Sequence, residues 1–236
     1  MGRMRGAVGA ALLALAALAC AAQGGAALAR PSGAGERAVT DRVKSGTGFF
    51  VSRDGFLLTS AHVVAGCQHM SVWDSAGTSY CSYTIGLDRR LDVALLWAEG
   101  ISPSRLASVT RMSVQRGEPV VTLGYGVIPT EPLKPVLVEG LLIGDRTARA
   151  GNRIIAIRAN LHAGHSGGAL LASDGSLVGI IVGRDEEHPG LGVAIPEEDL
   201  RALLSSYGIV LSQRNPVPNA RDIIAPISVL IQCSSP

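Results

Sequence analysis

Three short stretches of this 236-residue chain carry side chains whose types and spacing suit nucleophilic chemistry. Gly164-His165-Ser166-Gly167-Gly168 sets a serine between glycines, and small neighbours let another backbone approach a tight loop closely. Successive amides of such a loop can converge on one point. The amides of Gly164 and Ser166 are therefore candidates to hold the oxyanion formed when the serine attacks a carbonyl. Thr59-Ser60-Ala61-His62-Val63-Val64 follows the apolar run Gly55–Leu58 and offers an imidazole. A serine hydroxyl is a weak nucleophile at neutral pH and needs such a base. Leu91-Asp92-Val93-Ala94-Leu95-Leu96 opens an apolar strand with a carboxylate. Burial would penalise that carboxylate unless a partner satisfied it, and accepting the imidazole proton would satisfy it and fix the tautomer. Each stretch alone has a plain structural reading: a glycine-rich turn, a satisfied histidine, a strand-start turn residue like Asp88. Their order, His62 then Asp92 then Ser166, joins them.

The elements that must position these residues read as strands. Short apolar runs recur between turn signals: Gly48–Val51, Phe56–Thr59, Met70–Trp73, Cys81–Ile85, Val93–Trp97, Val120–Leu123, Leu137–Ile143, Ile154–Ile157, Ala169–Leu171 and Leu177–Val182. This density predicts an all-β sandwich or a pair of barrels. His62 and Asp92 fall in one half and Ser166 in the next, with the less regular Ala98–Arg116 between them. One helix is predicted after Pro196, with Glu197, Glu198 and Asp199 in its first turn, Leu200, Leu203 and Leu204 as its apolar stripe, and an end near Gly208. The tail, 209–236, contains DIIAPISVLIQ. It is too short to span a bilayer, and Pro226 argues against a central strand, so an edge strand or a loose tail is expected.

Composition agrees with that class. Hydrophobic residues make 47% and charged residues 17%, which excludes a disordered chain. Aromatics are only 4%, so the core must be built from Ala, Val, Leu and Ile. The net charge of +2 offers nothing to an electrostatic nucleic-acid binder.

In order of triad residues the chain matches the chymotrypsin type rather than the subtilisin or α/β-hydrolase types. Together SGTGFFVSRDGFLLTSAHVV, LDVALL, GEPVVTLGYG, GHSGGALLASDGSLVGIIVG and GLGVAIP resemble the HtrA/Deg branch of the trypsin-fold serine proteases, over roughly Lys44 to Gly208. The resemblance implies two six-stranded antiparallel β-barrels with the site in the cleft between them. The first would span about 44–105, the second about 112–196, with a C-terminal helix over 197–207. It implies His62 as general base, Asp92 as its orienting carboxylate and Ser166 as nucleophile. It places Asn160, six residues before the serine, at the base of the primary specificity pocket. It gives Gly179–Val182 as the strand that pairs with the substrate backbone, and with Ile180, Ile181 and Val182 as an apolar rim it implies small or medium aliphatic residues before the scissile bond; the run itself reads equally well as plain core. His165 departs from the family, which usually has Asn there, and the loop Gly124–Lys134 departs from its Asn-Pro-containing form. No regulatory PDZ domain is expected in the residues after 208.

The first 29 residues read as an export signal: Arg3 and Arg5, an apolar run, then Ala27-Leu28-Ala29. Cleavage after Ala29 would leave a near-neutral chain with a flexible leader, 30–43, in the periplasm or outside the cell. Lipid anchoring at Cys20 is the minor alternative. Export permits disulfides; Cys67 and Cys81 flank a hairpin and are the candidate pair, with Cys233 left over. No CxxC pair or histidine cluster stands at metal spacing, so no metal and no cofactor is expected. The expected partners are protein or peptide substrates, not nucleic acid, with no stable membrane span in the mature chain; the oligomeric state is left open. A catalytically silent module that holds a peptide in the same cleft is the alternative function.

Overall fold

Runs in which every residue is apolar, such as Val93–Leu96, cannot alternate between core and solvent, so each of their faces needs a core of its own. A computed structural model, which describes residues 42–109, 115–126, 134–148, 151–213, 215, 217 and 219–235, supplies three. The order is β1 (Arg42–Phe50), β2 (Phe56–Ser60), α1 (Ala61–Val64), β3 (His69–Trp73), β4 (Ser79–Asp88), β5 (Val93–Ala98), β6 (Ser108–Val109) and β7 (Pro119–Gly124). Then come β8 (Val136–Thr147), β9 (Arg153–Arg158), β10 (Ala169–Ala172), β11 (Leu177–Arg184), β12 (Leu191–Pro196), α2 (Glu197–Ser206), β13 (Ser212–Gln213), α3 (Arg221–Ile227) and β14 (Ser228–Ser235). The strands close two antiparallel barrels, β1-β14-β3-β4-β5-β2 and β10-β11-β12-β9-β8-β7. The expected pair of six-stranded barrels is therefore what the chain forms.

Adjacent residues divide between the cores. Phe50, Leu57, Leu96 and Ile231 belong to a cluster drawn only from the first barrel and α1. Leu142, Ile157, Leu170 and Ile181 belong to one drawn from the second. Their neighbours Phe49, Leu58, Leu95, Leu171 and Ile180 join a third cluster shared by both barrels. Each such side chain taken from water contributes about 1.5–3 kcal/mol. The helix after Pro196 forms as expected, with Leu200 and Leu204 buried and Gly208 in the left-handed region beyond its end.

The tail is not an edge strand or a loose end. β14 pairs with β1 from Arg42↔Ser235 to Phe49↔Ser228, and with β3 from Leu230↔Trp73 to Ser234↔His69. It is the sixth strand of the first barrel, so the 44–105 boundary for that barrel misses a wall. Pro226 does not oppose this, because it lies in α3 and β14 starts two residues later. The leader expected over 30–43 already enters β1 at Arg42; its other residues, the signal over 1–29 and Cys20 lie outside the described residues.

The Cys67–Cys81 disulfide is also corrected: Cys67 bonds to Cys233, with Cα atoms 5.3 Å apart. The β3–β4 ladder sets Ser71 across from Cys81, and Cys67 precedes β3 altogether. On the other side of β3, β14 brings Cys233 opposite Met70, within reach of Cys67. None of the described cysteines is a free thiol. No helix among the described residues is long and apolar enough to cross a membrane.

Candidate active site

His62 is the second residue of α1, the single turn that follows β2. Three bonds fasten that turn to Asp92. The Ala61 N–H donates to the Asp92 carbonyl (3.0 Å), the His62 N–H donates to Asp92 Oδ1 (2.9 Å), and His62 Nδ1 lies 2.6 Å from Asp92 Oδ2. A carboxylate accepting at Nδ1 places the proton there and leaves Nε2 with a free lone pair. Half the imidazole surface stays exposed, so that lone pair can meet a substrate. Asp92 itself has φ +57°, a conformation that a non-glycine residue holds only when its surroundings impose it.

The surroundings are identifiable. Asp88 Oδ1 accepts from the Arg90 and Leu91 N–H groups (2.8 and 2.9 Å). Arg90 Nη1 donates to Asn152 Oδ1 (2.8 Å), and Asn152 Nδ2 donates back to the Arg90 carbonyl (2.5 Å). Asn152 is buried and stands just before β9, so the second barrel braces the turn that presents Asp92. Asn152 carries no motif in the sequence, and only the fold reveals its part.

The serine loop is pinned nearly everywhere except where an oxyanion would sit. The His165, Gly167 and Gly168 N–H groups donate to the carbonyls of His162, Ile181 and His165 (3.2, 2.7 and 2.9 Å). The Gly168 carbonyl accepts from the Ile181 N–H (2.9 Å). The Gly164 and Ser166 N–H groups have no acceptor among the described residues. Gly164 and Gly167 are required: each has positive φ, and a Cβ there would collide with the carbonyl oxygens of Tyr125 and Thr47.

Thr47, fully buried on β1, was not singled out in the sequence. Its Oγ1 donates to the Gly164 carbonyl (2.7 Å) and accepts from the Tyr125 N–H (3.0 Å), while its own N–H donates to the Ser166 carbonyl (2.9 Å). Thr59 Oγ1 in turn donates to the Thr47 carbonyl (2.7 Å). One residue of the first barrel thus holds carbonyls on both sides of His165. Ser60 adds another tie, its Oγ donating to the Ile181 carbonyl (3.1 Å) instead of capping α1.

His165 is buried against Gly124, where a Cβ would meet its Cγ at 2.6 Å. Its Nδ1 lies 3.1 Å from the His162 carbonyl. Burial pushes its pKa below the usual imidazole value, against hydrogen bonds to the backbone of His162 and Val136.

Of the expected pocket residues, Asn160 is exposed. Ile180 and Ile181 cannot form an apolar rim: both are fully buried, Ile180 between the barrels and Ile181 in the second barrel's core. Val182 packs against the shared core. What β11 does present is its backbone. β10 starts at Ala169, opposite Ile180, so Val182–Arg184 have no strand beside them on that edge among the described residues. A hollow of about 450 Å³ on the second barrel, lined by residues such as Val121, Leu141, Ser173 and Arg221, contains none of these groups. No cluster of acidic, histidine or cysteine residues able to hold a metal occurs among the described residues.

A family model described as a trypsin-like peptidase domain matches residues 46–180. The chain is 32% identical to the uncharacterized protein y4bJ of Sinorhizobium fredii over 210 residues, covering 80% of this chain and 32% of that protein. It is 31% identical to serine protease HTRA1 of Xenopus tropicalis over 173 residues, covering 68% of this chain and 35% of that one. The chain thus spans about a third of the length of the curated relatives it matches. In fold it is similar to the active form of the Rv3671c protease of M. tuberculosis (TM-score 0.61, 21% identity, 75% and 85% of the two chains). It is also similar in fold to the HtrA-type protease AlgW with a decapeptide (TM-score 0.60, 24% identity, 69% and 51%). By the family model, the HtrA relatives and the double barrel together, the chain belongs to the trypsin-like peptidase family, on its HtrA-like side.

Proposed function

We propose that the protein is a serine endopeptidase in which Ser166 attacks a peptide carbonyl while His62 takes its proton and Asp92 steadies the imidazolium. The observation that carries this reading is the 2.6 Å His62–Asp92 contact, which leaves Nε2 as the acceptor; it is supported by a serine loop in which the Gly164 and Ser166 amides have no acceptor among the described residues. In the first step Oγ bonds to the carbonyl carbon and the carbonyl electrons move onto oxygen, where those two amides receive the charge. His62 then passes its proton to the leaving amine, the C–N bond breaks, and an acyl-enzyme remains. Water repeats the sequence and frees Ser166. Because the base must start unprotonated, turnover falls on acidification.

A peptide lying along Val182–Arg184 would continue the line of β10, antiparallel to β11, and reach Ser166 with its carboxyl-ward end. That edge supports protein or peptide substrates bound by strand addition. The Cys67–Cys233 disulfide suits an oxidising compartment and supports export to the periplasm or beyond. Ser166→Ala is expected to lower kcat by several orders of magnitude with an unchanged melting temperature. Turnover of a peptide library by that variant at the wild-type rate would remove Ser166 from the mechanism.

A further inference from the structure

The left-handed conformation of Asp92 (φ +57°) needs a cause in the bonds around it. Asp92 ends the link 89–92 between Asp88 and Val93, which pair across β4 and β5. Within the first barrel, Asp88 Oδ1 holds the Arg90 and Leu91 N–H groups, and Leu91 and Val93 are buried in the shared core. The Arg90 carbonyl is left to Asn152, whose Nδ2 donates to it (2.5 Å). Among the described residues, Asn152 is the only side chain of the second barrel bonded to residues 88–92. The Asp92 carbonyl is clamped as well, by the Ala61 N–H (3.0 Å). With the carbonyls of Arg90 and Asp92 both held, Asp92 cannot leave its conformation without breaking one of these bonds.

Asn152 stands on a firm footing. Its own carbonyl accepts from the Ala148 N–H (2.8 Å), and the Ala148 carbonyl accepts from the Gly151 N–H (2.8 Å). The next residue, Arg153, spans Asp145 Oδ2 (2.8 Å) and Glu198 Oε2 (2.6 Å), which ties the end of β8 and the start of β9 to α2. Asn152 Oδ1 takes the Arg90 guanidinium (2.8 Å), so both ends of this buried amide are satisfied. Arg90 is exposed, and its carbonyl can turn to water once the amide is removed. What Asn152 supplies is therefore position more than stability.

We infer that Asn152 is a positioning residue of the active site: by holding the Arg90 carbonyl it keeps Asp92 Oδ2 on His62 Nδ1 and the imidazole proton off Nε2. A carboxylate that swings away frees the ring to carry its proton on Nε2, the nitrogen that must accept from Ser166. The inference rests on the peptidase reading for its effect on turnover, but not for its effect on the imidazole.

Two readouts separate this role from a merely structural one. Nitrogen NMR of histidine-labelled Ser166→Ala protein at mildly alkaline pH shows which ring nitrogen of His62 carries the proton, the signal being assigned by its loss in His62→Ala. The proton is expected on Nδ1, and shared with Nε2 once Asn152→Ala is added. In the enzyme that keeps Ser166, Asn152→Ala should lower kcat about 10- to 100-fold, the cost of a displacement on the order of 1 Å at the reacting groups, with KM little changed. Asn152→Asp is the second variant. It keeps the shape and the pairing with the Arg90 guanidinium but has no donor for the carbonyl, so it should behave like the alanine variant. A proton that stays on Nδ1 in both variants, or a wild-type kcat in either, overturns the inference. If the wild type neither cleaves peptides nor reacts with a fluorophosphonate, the peptidase reading falls, and the NMR result still decides the role of Asn152.

Discussion

At the residue scale, the site depends on side chains that differ in how plainly they announce themselves. His62, Asp92 and Ser166 lie in motifs with a chemical reason behind each residue, and the fold brings His62 and Asp92 to hydrogen-bonding distance. Thr47 and Asn152 act by bonding to the backbone of the segments that carry those residues, and nothing in a threonine between two glycines advertises such a task. Removing the Thr47 hydroxyl tests it. Thr47→Val keeps the branched shape but frees the Gly164 carbonyl. We expect kcat to drop about 10- to 100-fold, less than the loss of a whole oxyanion donor, with KM little changed and Thr47→Ser restoring the rate. Equal kcat in the valine variant would assign Thr47 to structure alone. His165 gives a second test. Burial holds its pKa low, so on acidification the unfolded chain takes up a proton before the native one does. Stability contributed by the neutral ring is complete above an ordinary imidazole pKa of about 6.5 and is lost as the pH falls below it. His165→Asn should flatten the fall in melting temperature between about pH 7 and pH 5; a fall of the same size in the variant would exclude His165 as its source.

At the element scale, the strands were legible because double-sided burial writes continuous apolar runs; nine of the ten runs read from the sequence fall within a strand, and Gly48–Val51 overruns β1 by one residue. β14 was not legible as a barrel wall. Its partners β1 and β3 lie more than 150 residues away, and local pattern says nothing about pairing at that range. Pro226 pointed the wrong way because a proline one turn before a strand reads like one within it. The same distance hid the disulfide. Bridging Cys67 to Cys233, 166 residues apart, fastens the closing strand to the start of β3. In the loop-entropy model such a closure stabilises by about 5 kcal/mol. Cys67→Ala with Cys233→Ala should lower the melting temperature by ten degrees or more, on the order expected for a domain of this size, and reductant, which also opens the bond held by Cys81, should lower that of the wild type at least as far. A melting temperature unmoved by either change would show that the barrel closes without it.

At the scale of the whole molecule, the barrels divide the labour: the first supplies the imidazole and carboxylate, the second the serine loop and the open strand edge. Neither half is complete. Thr47 and Ser60 reach from the first barrel to the second, and Asn152 reaches back. The glycine-framed serine and the aliphatic, aromatic-poor composition foretold this double barrel, whereas the burial of Ile180 and Ile181 in two different cores was not settled by a local run that suits core and rim alike. If Ser166 is an activated nucleophile, fluorophosphonate labelling of the folded protein followed by peptide mapping will find it. One phosphonyl group per chain is expected, on Ser166, lost in His62→Ala and in heat-denatured protein. Labelling absent from the folded wild type, or unaffected by His62→Ala, would contradict it.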